Sequence, residues 1–251
     1  MSSPTRVSLL LSAVLAIAGL AALSTPMLAR SLWPQAQRCE ADRIAPEQRI
    51  AACSAMIESG KDRGKDLATD YVNRAVGWAA KKDFDRARAD LDRAINLEPN
   101  YMQAYFNRGN LGRYKGDMDA ALADYSKALA LDAEYVPALV NRGLAWSKKN
   151  EWERAIADYT QALLLDPDGI IALYRRGQAH TAKGNFDLAI ADFDHAIRLD
   201  DTAEQLYLGR GEAWLAKGDR ARGLADLRKA LIINPDFEDA AAALKRVADK
   251  S

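Results

Sequence analysis

The sequence predicts an all-α protein: an α-solenoid of five 34-residue helix–turn–helix repeats between an N-terminal capping element and a C-terminal solvating helix. Three observations carry this expectation. The stretch NRGNLGRYKGDMDAALADYSKALALD, starting at Asn107, returns as NRGLAWSKKNEWERAIADYTQALLLD from Asn141. Counterparts begin at Asn73, Arg175 and Gly209, so five copies share a period of 34. A fixed period in the range of about 20–50 residues denotes stacked supersecondary units, each burying its neighbour's apolar stripe. Ala- and Leu-rich stretches with few β-branched runs favour helix over strand. Finally, 49% hydrophobic and 28% charged residues suit a folded chain rather than a disordered one.

Residues 1–29 read as a secretory signal peptide. Arg6 precedes an uncharged stretch from Val7 to Leu23, then Ser24, Thr25 and Pro26 weaken the helix ahead of a cut after Ala29. Met27 stands where a smaller residue is preferred for cleavage, and 17 apolar or small residues also reach the lower limit for a membrane-spanning helix. The alternative is therefore a retained anchor over residues 7–23. Both readings export the remainder of the chain.

Residues 30–67 form a strap and capping helix. PEQRIAACSAMIES resembles a second repeat helix whose partner is missing or irregular, with Cys53 in its large-residue slot. Cys39 and Cys53 are the only cysteines. In an oxidising compartment an even pair 14 residues apart reads as a disulfide, contributing about 3 kcal/mol by loop entropy. Two unpaired thiols are the alternative.

The repeats are expected at 68–101, 102–135, 136–169, 170–203 and 204–237. Each first helix carries an aromatic or Leu (Tyr71, Tyr105, Leu139, Leu173, Tyr207) and, four residues on, a tiny residue (Ala75, Gly109, Gly143, Gly177, Gly211). A Gly or Asn turn follows at Gly116, Asn150, Gly184 and Gly218, and Asp117, Glu151, Asn185 and Asp219 stand ready to cap the next helix. The second helix opposes small residues (Ala87, Ala121, Ala155, Ala189, Gly223) to the tiny ones and fills the space beyond with Leu91, Tyr125, Tyr159, Phe193 and Leu227. Pro99, Pro167 and Pro235 end three of these helices. Residues 238–251 continue as one amphipathic helix that closes the array.

Chemistry is harder to find than packing. Lys plus Arg and Asp plus Glu each number 35, so no net field draws the chain to nucleic acid. His180 fills a repeat core slot, and His195 stands on a second helix beside Asp192 and Asp194. The glycines are spread through the repeats rather than clustered into a phosphate loop. No catalytic constellation, metal site or cofactor motif emerges. Arg at one fixed slot (Arg74, Arg108, Arg142, Arg176, Arg210) faces Asp sixteen residues later (Asp90, Asp124, Asp158, Asp192, Asp226), which reads as a ladder of structural ion pairs.

The spacing of aromatic, Gly/Ala, Tyr, Ala and Pro positions resembles the tetratricopeptide repeat family over residues 68–237. With the short Ala-rich leader, it is similar to an exported bacterial member. The resemblance implies a non-enzymatic scaffold that holds a protein or peptide in a concave groove lined by the first helices, here in the periplasm. It places Asn73, Asn107, Asn141 and Arg175 on that groove as a ladder suited to peptide backbones, since an amide both donates and accepts. Asn110, Phe106, Arg113, Lys148 and Tyr174 stand nearby. Asn110, Asn141 and Arg175 also match part of the family's clamp for a C-terminal carboxylate, but Phe106 and Ile171 replace its two Lys. The competing expectation is an assembly role through homodimers, with or without the membrane anchor.

Overall fold

The structure, a computed structural model, describes residues 39–40 and 44–249. The leader at 1–29 and the alternative anchor at 7–23 lie outside the described residues. From Pro46 onward the described residues form twelve helices: α1 (Pro46–Ser59), α2 (Gly64–Ala80), α3 (Phe84–Leu97), α4 (Met102–Lys115), α5 (Met118–Leu131), α6 (Val136–Lys148), α7 (Trp152–Leu165), α8 (Ile170–Ala182), α9 (Phe186–Leu199), α10 (Glu204–Lys217), α11 (Arg220–Ile233) and α12 (Glu238–Ala248). The pairs α2/α3, α4/α5, α6/α7, α8/α9 and α10/α11 are the five repeats of an all-α solenoid.

Turn chemistry sets the helix ends. Gly116, Gly184 and Gly218 adopt left-handed backbone with φ of 81°, 79° and 95°. Asn150 does the same at 60° and Lys82 at 62°, the latter without the side chain that usually tolerates it. Asp83, Asp117 and Asp219 accept from the backbone N–H three residues ahead. Glu151 and Asn185 make no such bond, so the capping expected of them is not found. Their helix starts rest on helical hydrogen bonds alone, Ala155 N–H to Glu151 O and Ala189 N–H to Asn185 O.

Small residues let the helix pairs approach closely. A Cβ added to Gly143 would stand 2.7 Å from Tyr159 Cε1. Tyr125, Tyr159, Phe193, Leu91 and Leu227 are fully buried between the helices, as the pattern requires. His180 is buried where Trp78, Trp146 and Trp214 stand in other repeats. Burial lowers its pKa, so it packs as a neutral ring.

Curvature follows from which helices touch. Each first helix contacts the next first helix (α2 with α4, and on through α10 with α12), whereas the second helices do not meet one another. The first helices therefore form the inner, concave wall.

Both ends are covered. At the C-terminus, α12 seals α10 and α11 with Ala240, Ala243, Phe237 and Leu244. At the N-terminus, α1 packs on α2 and Cys39 is bonded to Cys53, both fully buried. The equivalence of α1 to a second helix holds with an offset of 38 residues rather than 34, because α2 begins a turn early, at Gly64. Cys53 then takes the slot of Leu91, and Gly77 makes room for Ile50, whose Cγ1 would lie 2.8 Å from an added Cβ.

Candidate partner-binding groove

The expected Arg–Asp ladder is present in all five repeats, each pair bidentate. Arg74, Arg108, Arg142, Arg176 and Arg210 each donate Nε and Nη2 to their Asp at 2.6–2.9 Å. The third nitrogen does what the sequence did not announce. Nη1 reaches back to the preceding second helix, to Ser54, Asp92, Ser126, Thr160 and Asp194 in turn. Each guanidinium thus joins three helices, and its planar fork is what makes this geometry available. The hydrogen bonds that Asp124 and Asp226 accept, aided by Asp92 and Asp194, hold Arg108 and Arg210 further into the protonated range than usual.

A second, outer ladder runs beside it. Lys81, Lys115, Lys149, Lys183 and Lys217 pair with Glu47, Asp85, Asp119, Glu153 and Asp187 of the preceding unit. These pairs are solvent-exposed and individually worth little. Their period of 34 was visible in the sequence, but the partner lies in the neighbouring repeat, where spacing within one repeat gives no clue.

With those charges committed, the inner wall retains clefts and amides. Asn107 donates to the carbonyl of Gln103 at 2.8 Å, and with Asn110, Val76 and Tyr114 it lines a small cleft of ≈ 110 Å³ between α2 and α4. Asn141 Nδ2 donates to Asn110 Oδ1 at 2.9 Å, an oxygen that also accepts from the Tyr125 hydroxyl at 2.7 Å. The two amides are thereby brought together across adjacent first helices. Between α6 and α8 lie two successive clefts. One, of ≈ 560 Å³, is lined by Val136, Val140, Asn141, Ile170 and Ile171. The other, of ≈ 300 Å³, is lined by Leu144, Lys148, Arg175 and Gln178 over Tyr159. Burial pushes the Tyr159 hydroxyl up to about 12, so it stays neutral beneath the cleft.

The remaining candidate residues divide by role. Arg175 Nη1 donates to Gln178 Oε1 at 3.0 Å, and its guanidinium stands 5.2 Å from the Tyr174 ring centre. Arg113 lies 4.6 Å over the Tyr114 ring, with its Nε buried and without a hydrogen-bond partner. Phe106 and Tyr174 pack against the core: Phe106 meets Tyr135 edge-on at 5.1 Å, and Tyr174 leans on Phe193 at 6.0 Å. They seal the repeat junctions beneath the groove. Asn73 is half-buried on α2. Gly209 replaces Asn at the fifth rung, where Phe193 fills the space: an added Cβ would sit 2.6 Å from its Cε1.

Sequence reasoning also missed Asp70. It is buried against the disulfide, with Oδ2 unpartnered. Burial foremost, then Asp62, Glu40 and Asp66, push its carboxyl up to about 7.

A tetratricopeptide repeat model matches residues 79–136, 140–204 and 184–236, more than half of the chain. The chain belongs to the tetratricopeptide repeat family, whose members bind protein or peptide partners. None of the curated proteins matches it in sequence. Among solved structures it is similar to YrrB, described as a TPR protein with an unusual peptide-binding site. That match has TM-score 0.66 at 24% identity and covers 78% of this chain and 99% of that one. A second similar structure is PilW, a type IV pilus biogenesis factor (TM-score 0.65, 18% identity, 71% and 86% covered). A third is a tetratricopeptide repeat protein from Parabacteroides merdae (0.67, 18%, 89% and 93%). At these identities the likeness establishes the fold. Among the described residues no helix is long and apolar enough to cross a membrane.

Proposed function

We propose that the chain is a non-enzymatic scaffold of the bacterial cell envelope, working in the periplasm, that holds an extended segment of a partner protein along its concave face. One observation carries this reading. The Arg and Lys ladders commit the structural charges, while the inner wall between α2 and α8 keeps three clefts edged by amides and by exposed Tyr114 and Ile171. Asn107, Asn110 and Asn141 line those clefts and supply the polar contacts, with Asn73 on the same inner wall as the first rung of the ladder. The buried Cys39–Cys53 disulfide supports an oxidising compartment.

Site-specific photocrosslinking tests it. A benzophenone at Ile171 samples the concave wall, and one at Leu164 samples the outer helices; both positions are well exposed. Partner adducts from Ile171 and none from Leu164 are expected. The opposite pattern moves the interface to the convex side and ends the groove reading.

A second reading, assembly through homo-oligomers, is favoured by Leu97, Leu164, Leu165, Leu199 and Ile232, which expose apolar surface at the ends of the second helices. Light scattering that returns a monomer mass at about millimolar concentration, far above typical interface constants, removes it.

A further inference from the structure

The three central inner helices, α4, α6 and α8, carry no Asp or Glu. Their cations and those just after them fall into two sets. Arg108, Arg142 and Arg176 are locked to the Asp ladder, and Lys115, Lys149 and Lys183 to the outer one. Arg113, Lys148 and Arg175 have no carboxylate within ion-pair distance among the described residues, and all three lie on the concave side. Arg113 even leaves a buried Nε without a partner. Two of them, Lys148 and Arg175, converge on the ≈ 300 Å³ cleft. Next to it along the same two helices lies the apolar ≈ 560 Å³ cleft, with Ile171 66% exposed. Beyond α8 the slot held by Asn110 on α4 and Gln178 on α8 is occupied on α10 by Glu212, which is paired with Arg246 of α12 at 3.4 Å.

Resting on the groove reading above, we infer that the bound segment is acidic, with a large apolar side chain in the α6–α8 cleft at Val140 and Ile171 and carboxylate side chains at Lys148 and Arg175. The spacing follows from the helix. Val140 and Lys148 are eight residues apart, about 12 Å of axial rise. An extended peptide covers that in about three to four residues. The recognised pattern is therefore a Leu-like residue and an Asp or Glu three or four positions away. Unpaired cations in a partly enclosed cleft favour carboxylates both in encounter and in the bound state.

The test uses the full chain and three fluorescein-labelled degenerate peptide pools read by anisotropy. The first has Leu, two variable uncharged positions and then two Glu, with both ends blocked. The second carries Gln in place of Glu. The third is the Gln pool with a free C-terminal carboxylate. The Glu pool is expected to bind about tenfold tighter than the blocked Gln pool, the worth of one charge-assisted hydrogen bond. That gap should close in about 0.5 M salt, where screening is short-ranged. In the variant with Lys148→Gln and Arg175→Gln, helix content checked by circular dichroism, the preference for Glu should vanish while Gln-pool binding persists. Lys148→Glu should turn the preference toward a Lys pool. Equal binding of the Glu and Gln pools overturns the acidic preference and leaves the groove reading standing. A Gln pool that matches the Glu pool only when its terminus is free assigns the cations to a chain end and overturns the inference as stated. A Glu preference surviving in the double variant also overturns it. Absence of binding by every pool, together with no adduct from Ile171, removes this inference and the groove reading together.

Discussion

Replacing Arg142 by Met leaves Asp158 with its carboxylate buried and its bidentate partner gone. The Asp158 side chain is 8% exposed and that of Arg142 25%, and the two bonds measure 2.9 and 2.6 Å. Breaking a buried pair on one side costs about 3–5 kcal/mol, and the partial exposure of the guanidinium puts this case near 3. With a urea slope of about 3 kcal/mol/M for a chain of this size, the midpoint should fall by about 1 M. A paired change, Arg142→Met with Asp158→Leu, removes both charges and should return to within about 1 kcal/mol of the parent. Unfolding is followed by far-ultraviolet circular dichroism and by tryptophan emission, since Trp146 and Trp152 lie within this repeat. Loss of coincidence between the two signals would report that one repeat opens alone, as nearest-neighbour coupling allows. A single-variant loss below about 0.5 kcal/mol would put the ladder in the class of surface pairs and refute the argument. A double variant as unstable as the single one would assign the loss to packing instead.

Four further outcomes follow from other positions. Lys82→Gly should stabilise by about 1 kcal/mol by relieving a φ of 62°, read as a rise of about 2–4 °C in Tm. Gly209→Asn, which would add a fourth asparagine to the inner-wall row, should instead destabilise by about 1–3 kcal/mol, because Phe193 occupies the space; an unchanged Tm contradicts this. Asp70, pushed up to about 7 chiefly by burial, contributes stability that is fully present below the ordinary carboxylate range and lost as pH rises through about 7. The stability of Asp70→Asn relative to the parent should therefore improve between pH 5 and about pH 7 and level off above it, and a difference that does not move with pH refutes the assignment. Reduction of Cys39–Cys53 should cost about 3 kcal/mol and raise amide exchange in α1 and α2 while α6 to α9 keep their protection; exchange rising equally in all repeats would deny that the units couple only to neighbours.

The repeats were open to reading from the sequence because packing between paired helices recurs at one spacing. Tyr125, Tyr159 and Phe193 occupy the same buried slot, and Gly143 had to be tiny because a ring lies against it. Relations within a repeat, such as Arg142 with Asp158, fall at a constant separation of 16 and show themselves by repetition. Relations between repeats were hidden, since Ser126 and Thr160 are ordinary helix residues until Nη1 of the following Arg reaches them. The same limit applies to the groove. The sequence placed Phe106 and Tyr174 on the inner helices, and only the fold turns them toward the core at the repeat junctions. Asp70 escaped notice because it is buried against the Cys39–Cys53 disulfide, which lies outside the repeats and has no second copy to compare with.

Both ladders point one way: Nη1 of each ladder Arg and the ammonium of each ladder Lys grip the unit before them. The last repeat lacks the acceptors of both ladders. At the slot of Asp92, Ser126, Thr160 and Asp194 it carries Arg228, and at the slot of Asp85, Asp119, Glu153 and Asp187 it carries Ala221. Correspondingly, α12 has Leu244 where each preceding inner helix has its Arg. A sixth unit, or the leading end of another copy, would bring arginine against Arg228. The stack therefore carries its polarity in its side chains: each unit offers ladder acceptors to the next, and the fifth withdraws them at Arg228 and Ala221 where α12 takes over the contact.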